Sequence, residues 1–449
     1  MGCDVTGPRL GDLVTLVRGT TYKGQLLGQP GPVLLGLASI QRNGGFRSDS
    51  LKTYGGECKA KIVLRPGDMY VSLKDVSQSA DLLGSIARLP DYVPSGRLTQ
   101  DTVKLEFLES SYSRDLVYWA LRTPAYRSYC REHATGTTTL GLAREDFLSF
   151  NLPPSTPESL FLVELLEALE SRIRCLGETS ATLEAIAQAL FKSWFVDFDP
   201  VHAKAEGRKP EATDAATAAL FPSEFEASEL GPIPKGWQVA TLSEHADAER
   251  GLSYKGAGLT AADDGLPMHN LNSVLEGGGY KYAGIKYYNG TYKERHLVEA
   301  GDIIVANTEQ GHHHRLIGFP AIVPHRFTNG IFSHHLYRVR AKKGSPVARH
   351  WLYHCLMTPA VRDQIIGCSN GSTVNMLKPA GLQIPQMVVP PAKLCRAFDA
   401  IAEDLRTKIE GGVDRAETLA QLRDTLLPRL ISGKLRLPEA TEAAEEAVA

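Results

Sequence analysis

The sequence predicts an α+β protein: two strand-rich α/β domains in pseudo-twofold arrangement, joined by two long antiparallel coiled-coil helices. Two observations lead there. The chain repeats itself at an interval of about half its length, and each copy ends in a long stripe of apolar residues at heptad spacing. Composition sets the bounds: 449 residues, 43% hydrophobic and 22% charged with a formal net charge of -2, describe a globular chain. Such a length suggests about two to four domains, and the balance is not that of a disordered or collagen-like protein.

The repeat comes first, because a long period fixes architecture before any single motif does. Arg18–Gly24 (RGTTYKG) recurs as Arg250–Gly256 (RGLSYKG), 232 residues later. Pro66-Gly67-Asp68, before an apolar run, answers to Ala300-Gly301-Asp302 before another. Thr123-Pro124-Ala125 matches Thr358-Pro359-Ala360, and Gly136-Thr137-Thr138 matches Gly371-Ser372-Thr373, both at a spacing of 235. Any one match could arise by chance. Four in register indicate duplication.

Each copy opens with a part that mixes short apolar runs with Gly, Pro and Asn turns, from Val5 to about Pro154 and from Trp237 to about Pro391. Runs such as Lys61–Arg65, Asp302–Val305 and Leu336–Arg340 read as strands, with a helix near each Thr-Pro-Ala. A long helix follows. In the first, Leu162, Leu166, Leu169, Ile173, Leu176, Leu183, Ala187, Leu190 and Trp194 step by fours and threes, with only Ser180 polar on the stripe. The second carries Phe398, Ile401, Leu405, Ile409, Ala416, Leu419, Leu422, Leu426 and Leu430, interrupted near Gly411-Gly412. Each seam needs a partner, and an antiparallel pair is the economical solution. The expected boundaries are 1–155 for the first domain, 156–203 for its helix, 204–236 for a linker, 237–392 for the second domain and 393–436 for its helix. An acidic disordered tail, 437–449, carries Glu439, Glu442, Glu445 and Glu446.

Several function classes are excluded by what the sequence lacks. Cys3, Cys58, Cys130, Cys175, Cys355, Cys368 and Cys395 are dispersed with no CxxC pair, so reduced thiols are expected, not a zinc ribbon or a disulfide framework. Met1–Leu10 does not resemble a signal peptide and no run of about 18 apolar residues occurs, so a cytoplasmic protein without membrane contact is expected. Gly433-Lys434 is followed by Leu435 and does not complete a phosphate-binding loop. No nucleophile elbow or kinase signature is present, and Asn151-Leu152-Pro153-Pro154 matches an adenine-methyltransferase loop poorly. A non-catalytic protein is the expectation.

Four segments carry a family resemblance over nearly the whole chain. They are Leu190–Val201 (LFKSWFVDFDPV) and Leu426–Leu435 (LLPRLISGKL) at the helix ends, Leu230–Trp237 (LGPIPKGW) before the second domain, and Arg9–Leu13 (RLGDL) in the first. Together they resemble the DNA specificity subunits of type I restriction-modification systems. A departure accompanies the match: Pro153-Pro154 and Pro390-Pro391 lack the Leu and Glu-Gln that the family commonly places after them, although Pro157 and Glu158 still suit a first helical turn. The resemblance implies two target-recognition domains, each reading half of a bipartite double-stranded DNA site. It also implies helices that set the gap and dock two methyltransferase (modification) subunits and restriction/translocase subunits, in a system of DNA methylation and phage defence. No cofactor or metal is implied in this chain. The partner subunits would use S-adenosylmethionine, ATP and Mg2+. The alternatives are a specificity subunit of a methylation-only or motor-less system and, from another class, a protein-binding coiled-coil adaptor.

Base reading needs polar side chains on loops, while Lys, Arg and backbone amides hold phosphates. In the second domain the loop from Asn307 to Arg315 offers Asn307, Thr308, Gln310, His312, His313, His314 and Arg315. A metal site on the three histidines is the lesser reading, since consecutive side chains diverge; an ordinary solvated loop is the bland one. Lys74, Ser77 and Gln78 occupy the corresponding stretch of the first domain, with different residues, as two different half-sites would demand. Tyr22 and Lys23 recur as Tyr254 and Lys255, which suits a shared task such as phosphate anchoring, or a structural turn. Gly136–Thr138 and Gly371–Thr373 could face a phosphate or cap a helix. Residues 280–350 hold Lys281, Lys286, Lys293, Arg295, Arg315, Arg326, Arg338, Arg340, Lys342, Lys343 and Arg349, which make either a local basic face or a solvated sheet.

Overall fold

The computed structural model describes residues 7–49, 51–211, 213–311, 313–371 and 374–432. Cys3, His312, Ser372, Thr373 and the acidic tail therefore lie outside the described residues, as does the side chain of Leu430. The described chain divides into two compact units, one holding 7–176 and 415–432, the other 177–414. Both long helices cross this division, so each unit contains one head and a portion of each helix.

Unit 1 carries a four-stranded antiparallel sheet in the order Val14–Arg18, Thr102–Phe107, Met69–Ser72, Ile86–Arg88. Unit 2 carries the same sheet in the same order, built from Ala246–Arg250, Leu336–Ala341, Ile303–Ala306 and Pro320–Ile322. The strands Met69–Ser72 and Ile303–Ala306 are buried at every position, which requires cover on both faces. A second small sheet repeats as well. Val33–Leu35 runs parallel to Gly96–Leu98, with Val63–Leu64 antiparallel; its counterpart joins Leu266–His269, Gly330–Phe332 and Leu297–Val298 in the same senses. The run Lys61–Arg65, expected as strand, opens in a 3-10 turn, Ala60–Ile62, and only Val63–Leu64 is strand.

The repeated motifs have local physical causes. Gly67 and Gly301 adopt φ of 86° and 85°, a left-handed turn that glycine accepts without strain. The aspartate after each closes the turn, Asp68 accepting from the Arg65 amide and Asp302 from the Glu299 amide, both at 2.8 Å. Thr-Pro-Ala starts a helix in each unit, Pro124–Glu132 and Pro359–Gly367. Proline suits the first helical position, and each threonine hydroxyl donates to a carbonyl three residues back, Ala120 at 2.8 Å and Cys355 at 2.7 Å.

The long helices are Pro157–Phe195 and Ala392–Ser432. No position of the first predicted stripe is exposed, Ser180 included. In unit 1, Leu162, Leu166 and Leu169 share a core with Leu419, Leu426 and Leu427, and Arg423 donates to Glu170 at 2.8 Å. In unit 2, Phe191, Trp194 and Phe195 surround Phe398, with the Phe191 and Phe398 rings 5.3 Å apart. Rising numbers on one helix thus meet falling numbers on the other, the antiparallel sense. One stripe residue is corrected. Ile401 is 36% exposed and Ala402 is 3% exposed, because the buried line runs 398, 402 and 409, with Leu405 half-buried between them, and places the small alanine inside. The second helix passes through Gly411 and Gly412 unbroken.

The first helix stops short of residue 203. Phe198, at φ 55°, breaks the chain before a separate helix, Asp199–Ala205. Residues 204–236, expected as a linker, hold a helix, Ala215–Ala219, and a hairpin of Phe225–Ser228 with Gly231–Pro234. Phe221 and Ile233 are buried in the cluster that contains Trp194 and Trp237, so this stretch is part of the unit 2 core. The six described cysteines are free thiols. Among the described residues no helix is long and apolar enough to cross a membrane.

Candidate nucleic-acid interface

Each head presents one loop from the same place. The strand Lys74–Asp75 pairs with Leu140–Gly141, and Thr308–Gln310 pairs with Val374–Leu377. Inside each strand sits a buried carboxylate, Asp75 at 0% exposure and Glu309 at 8%. Asp75 accepts from the amides of Ser77 (2.7 Å), Leu82 (2.6 Å) and Leu83 (3.2 Å), and from the Ser77 hydroxyl (2.8 Å). Glu309 accepts from the amides of Arg315 (2.9 Å), Leu316 (3.0 Å) and Ile317 (2.9 Å). Burial, the largest single influence, opposes ionisation of both. The amide donors together outweigh it and hold both below the ordinary carboxylate value.

A guanidinium secures the other side of each loop. Arg127, 3% exposed, donates to the carbonyls of Leu83 (2.6 Å), Ala80 (2.8 Å) and Asp81 (3.1 Å). Arg362 donates to the carbonyl of His314 and lies 3.8 Å from the centre of the Phe319 ring. Both arginines belong to the Thr-Pro-Ala helices, at equivalent positions. Ala80 and His314 also correspond, and both adopt the left-handed conformation, φ 53° and 49°, which non-glycine residues seldom occupy. The loop from Asp75 to Leu82 has the same length as that from Glu309 to Leu316, yet the residues between differ throughout. A common frame holds two different tips.

The tips expose Val76, Gln78 and Ser79 in the first head, and Gln310, His313 and Arg315 in the second. Asp81 and Arg315 occupy the same frame position with opposite charge. Of the residues singled out from sequence, two are not presented to a ligand. Asn307 is 1% exposed, with its amide donating to the His334 carbonyl at 2.9 Å. Thr308 is 3% exposed and lies 3.0 Å from His335 Nδ1. They sit at the strand's inner end, where the chain is still in the core. Ser77 is spent on Asp75, Lys74 lies 3.3 Å from Asp101, and Gln78 donates to the Thr137 carbonyl at 2.7 Å. His314 contributes chiefly its backbone, while His312 lies outside the described residues.

Lys23 and Lys255 are exposed. Tyr22 packs edge-on against Tyr54 at 6.3 Å and Tyr254 against Tyr288 at 6.2 Å, so the tyrosines of the repeated motif have a packing role in both heads. Gly136 takes φ 99° in the turn between the paired residues Thr135 and Gly141, not at a helix start, so it caps nothing there. Within the basic run of the second domain, residues pair with carboxylates of the same chain: Arg340 with Asp302, Arg338 with Glu249, Lys342 with Asp247, Arg349 with Glu403 and Arg326 with Asp414.

Sequence reasoning missed the frame and a neighbouring turn. Arg18 and Arg250, the first residues of the repeated motif, donate through Nε to the carbonyls of Gln100 and His334, each at 3.3 Å. Gly19 and Gly251 follow them where a Cβ would lie 2.0 Å from the Thr99 carbonyl oxygen and 2.3 Å from that of Ser333. The conserved Arg-Gly of both copies was the available signal. Among the described residues no group of three His, Cys, Asp or Glu is placed to hold a metal.

The chain thus holds two copies of one α/β fold, with unlike polar loops on like frames and a share of both long helices in each unit. No family model matches the chain. In sequence it is similar to the type I restriction enzyme MjaIX specificity subunit of Methanocaldococcus jannaschii, 23% identical over 72% of this chain and 70% of the relative. The HindI specificity subunit of Haemophilus influenzae is also 23% identical, over 64% of this chain and 69% of the relative. In fold it is similar to the crystal structure of a type I restriction-modification S subunit from M. genitalium, with a TM-score of 0.55, 14% identity, and coverage of 96% and 98% of the two chains. The relatives in sequence are specificity subunits of type I restriction enzymes, and the neighbour in fold is an S subunit of a type I restriction-modification system.

Proposed function

We propose that this chain reads a bipartite double-stranded DNA target, one half with each head, and docks two modification subunits and the restriction subunits of its system. The observation that carries this is the duplicated frame with divergent tips. A frame alone repeated would serve one ligand twice, whereas unlike tips at the same place serve two unlike half-sites. Exposed Lys23 and Lys255, at equivalent positions in the two heads, suit phosphates that position each head without regard to sequence. S-adenosylmethionine, ATP and Mg2+ would be used by the partner subunits, and the chain itself would supply specificity alone.

The test is to express the chain with its modification partners and map the methylated positions in host DNA by sequencing. A target of two short half-sites separated by unread bases is expected. Exchanging the tip 310–315 for that of another such protein should then change one half-site and leave the other and the gap unchanged. A single continuous target would overturn the reading.

A further inference from the structure

We infer that Asp75 with Arg127, and Glu309 with Arg362, are positioning residues that set base discrimination without touching DNA. This rests on the proposal that the loops read half-sites. In each head a buried carboxylate collects the amides of the loop's far end, while a guanidinium holds its carbonyls, three on Arg127 and that of His314 on Arg362. Apart from Ser77, the hydrogen-bonding partners of these charges are backbone groups, so the clamp is indifferent to the residues at the tip.

Burying three charged groups, Asp75, Glu309 and Arg127, with Arg362 partly covered, is costly unless their hydrogen bonds are made well. An apolar base would hold the fold together as readily. What the clamp adds is a single loop conformation, including the left-handed Ala80 and His314, which persist only where the surroundings over-determine them. A fixed tip discriminates because a wrong base leaves polar groups unpaired, and a loosened tip can adjust to that base. Loosening should therefore cost discrimination more than affinity. The cost should fall on one half-site only.

The experiment uses the full complex with its modification subunits and measures binding to DNA duplexes with single-base changes in each half-site. Gln78→Ala and His313→Ala, at the tips, assign the half-sites to the heads. Arg127→Ala is then expected to reduce discrimination at the first head's half-site at least tenfold, with discrimination at the other half-site and binding to unrelated DNA unchanged. Arg362→Ala should do the converse. Arg127→Lys and Arg362→Lys, which keep the charge and part of the donation, should restore some discrimination and serve if the alanine variants do not fold. Loss at both half-sites together, or an unaltered ratio, would overturn the inference while the tip variants still uphold loop reading. Silent tip variants would remove the loop reading and this inference with it.

Discussion

Tyr280 Oη lies 3.0 Å from His269 Nδ1, while His269 Nε2 lies 3.2 Å from the carbonyl oxygen of Phe327. The phenol donates to one nitrogen and the other donates to the carbonyl, so the neutral ring is satisfied in place, and a second ring proton would require the phenol to turn and accept. Burial lowers the pKa of His269 to about 4 and, with His350 nearby, that of His354 to about 3. Both lie in unit 2. In the unfolded chain each titrates near 6.5, so the unfolded state takes up protons first as the pH falls. Stability is therefore complete above about 6.5 and is lost toward 4, by about 1.4 kcal/mol per pH unit for each histidine. Hydrogen exchange at pH 7.5 and 5 should show unit 2 losing protection while 7–176 keeps more of its own. Equal loss in the two units would refute this assignment.

Leu166 is fully buried between the helix pair and the first head, whereas Ile401 is 36% exposed on the second helix. Leu166→Ala should cost about 2–5 kcal/mol, and Ile401→Ala should stay within about 0.5 kcal/mol. Urea unfolding of the two variants checks both. A large loss from Ile401→Ala would mean that the sequence stripe, not the observed one, is the packed face.

The stripe shows what can be read in the sequence and what cannot. Heptad steps mark which face of a helix is buried, but hydrophobicity favoured Ile401 over Ala402, and only packing against Phe398 and its neighbours decides between them. The repeat was legible because Gly-Asp and Thr-Pro-Ala answer to local turn and helix-start chemistry. The loop frame was not. Asp75 and Glu309 are different residue types acting at one position, and their partners are backbone amides, which leave no trace in side-chain pattern. Asn307 and Thr308 looked like contacts because they are polar and adjoin a loop; burial in a strand end is a tertiary fact.

Charges spent internally and charges left exposed should differ in DNA binding. Lys255 is exposed, whereas Arg340 makes two 2.5 Å hydrogen bonds to Asp302. Lys255→Ala should weaken binding alike on all sequences and reduce the slope of log affinity against log salt by about 0.9, one phosphate contact. Arg340→Ala should leave the slope unchanged and lower the melting temperature. Titrations over a range of salt concentrations separate the two, and an altered slope for Arg340→Ala would place it at the DNA.

The last prediction concerns the long helices as the spacer between half-sites. The two-unit division falls inside both helices, close to Gly177 on one and Gly411 on the other, and at neither glycine would a Cβ meet another atom within 4 Å. Both points therefore tolerate added residues without disturbing a packed neighbour. Four residues add about 6 Å at 1.5 Å per residue, equivalent to about one or two base pairs. Extending one helix alone would leave the apolar stripe of the other out of register, so both must be lengthened together. Four residues are also slightly more than one turn, so the heptad face is nearly kept. The expected outcome in the methylation map is the same two half-sites with a gap longer by about one or two base pairs. A doubly extended protein that folds, supports methylation and keeps the original gap would show that something other than helix length sets the spacing.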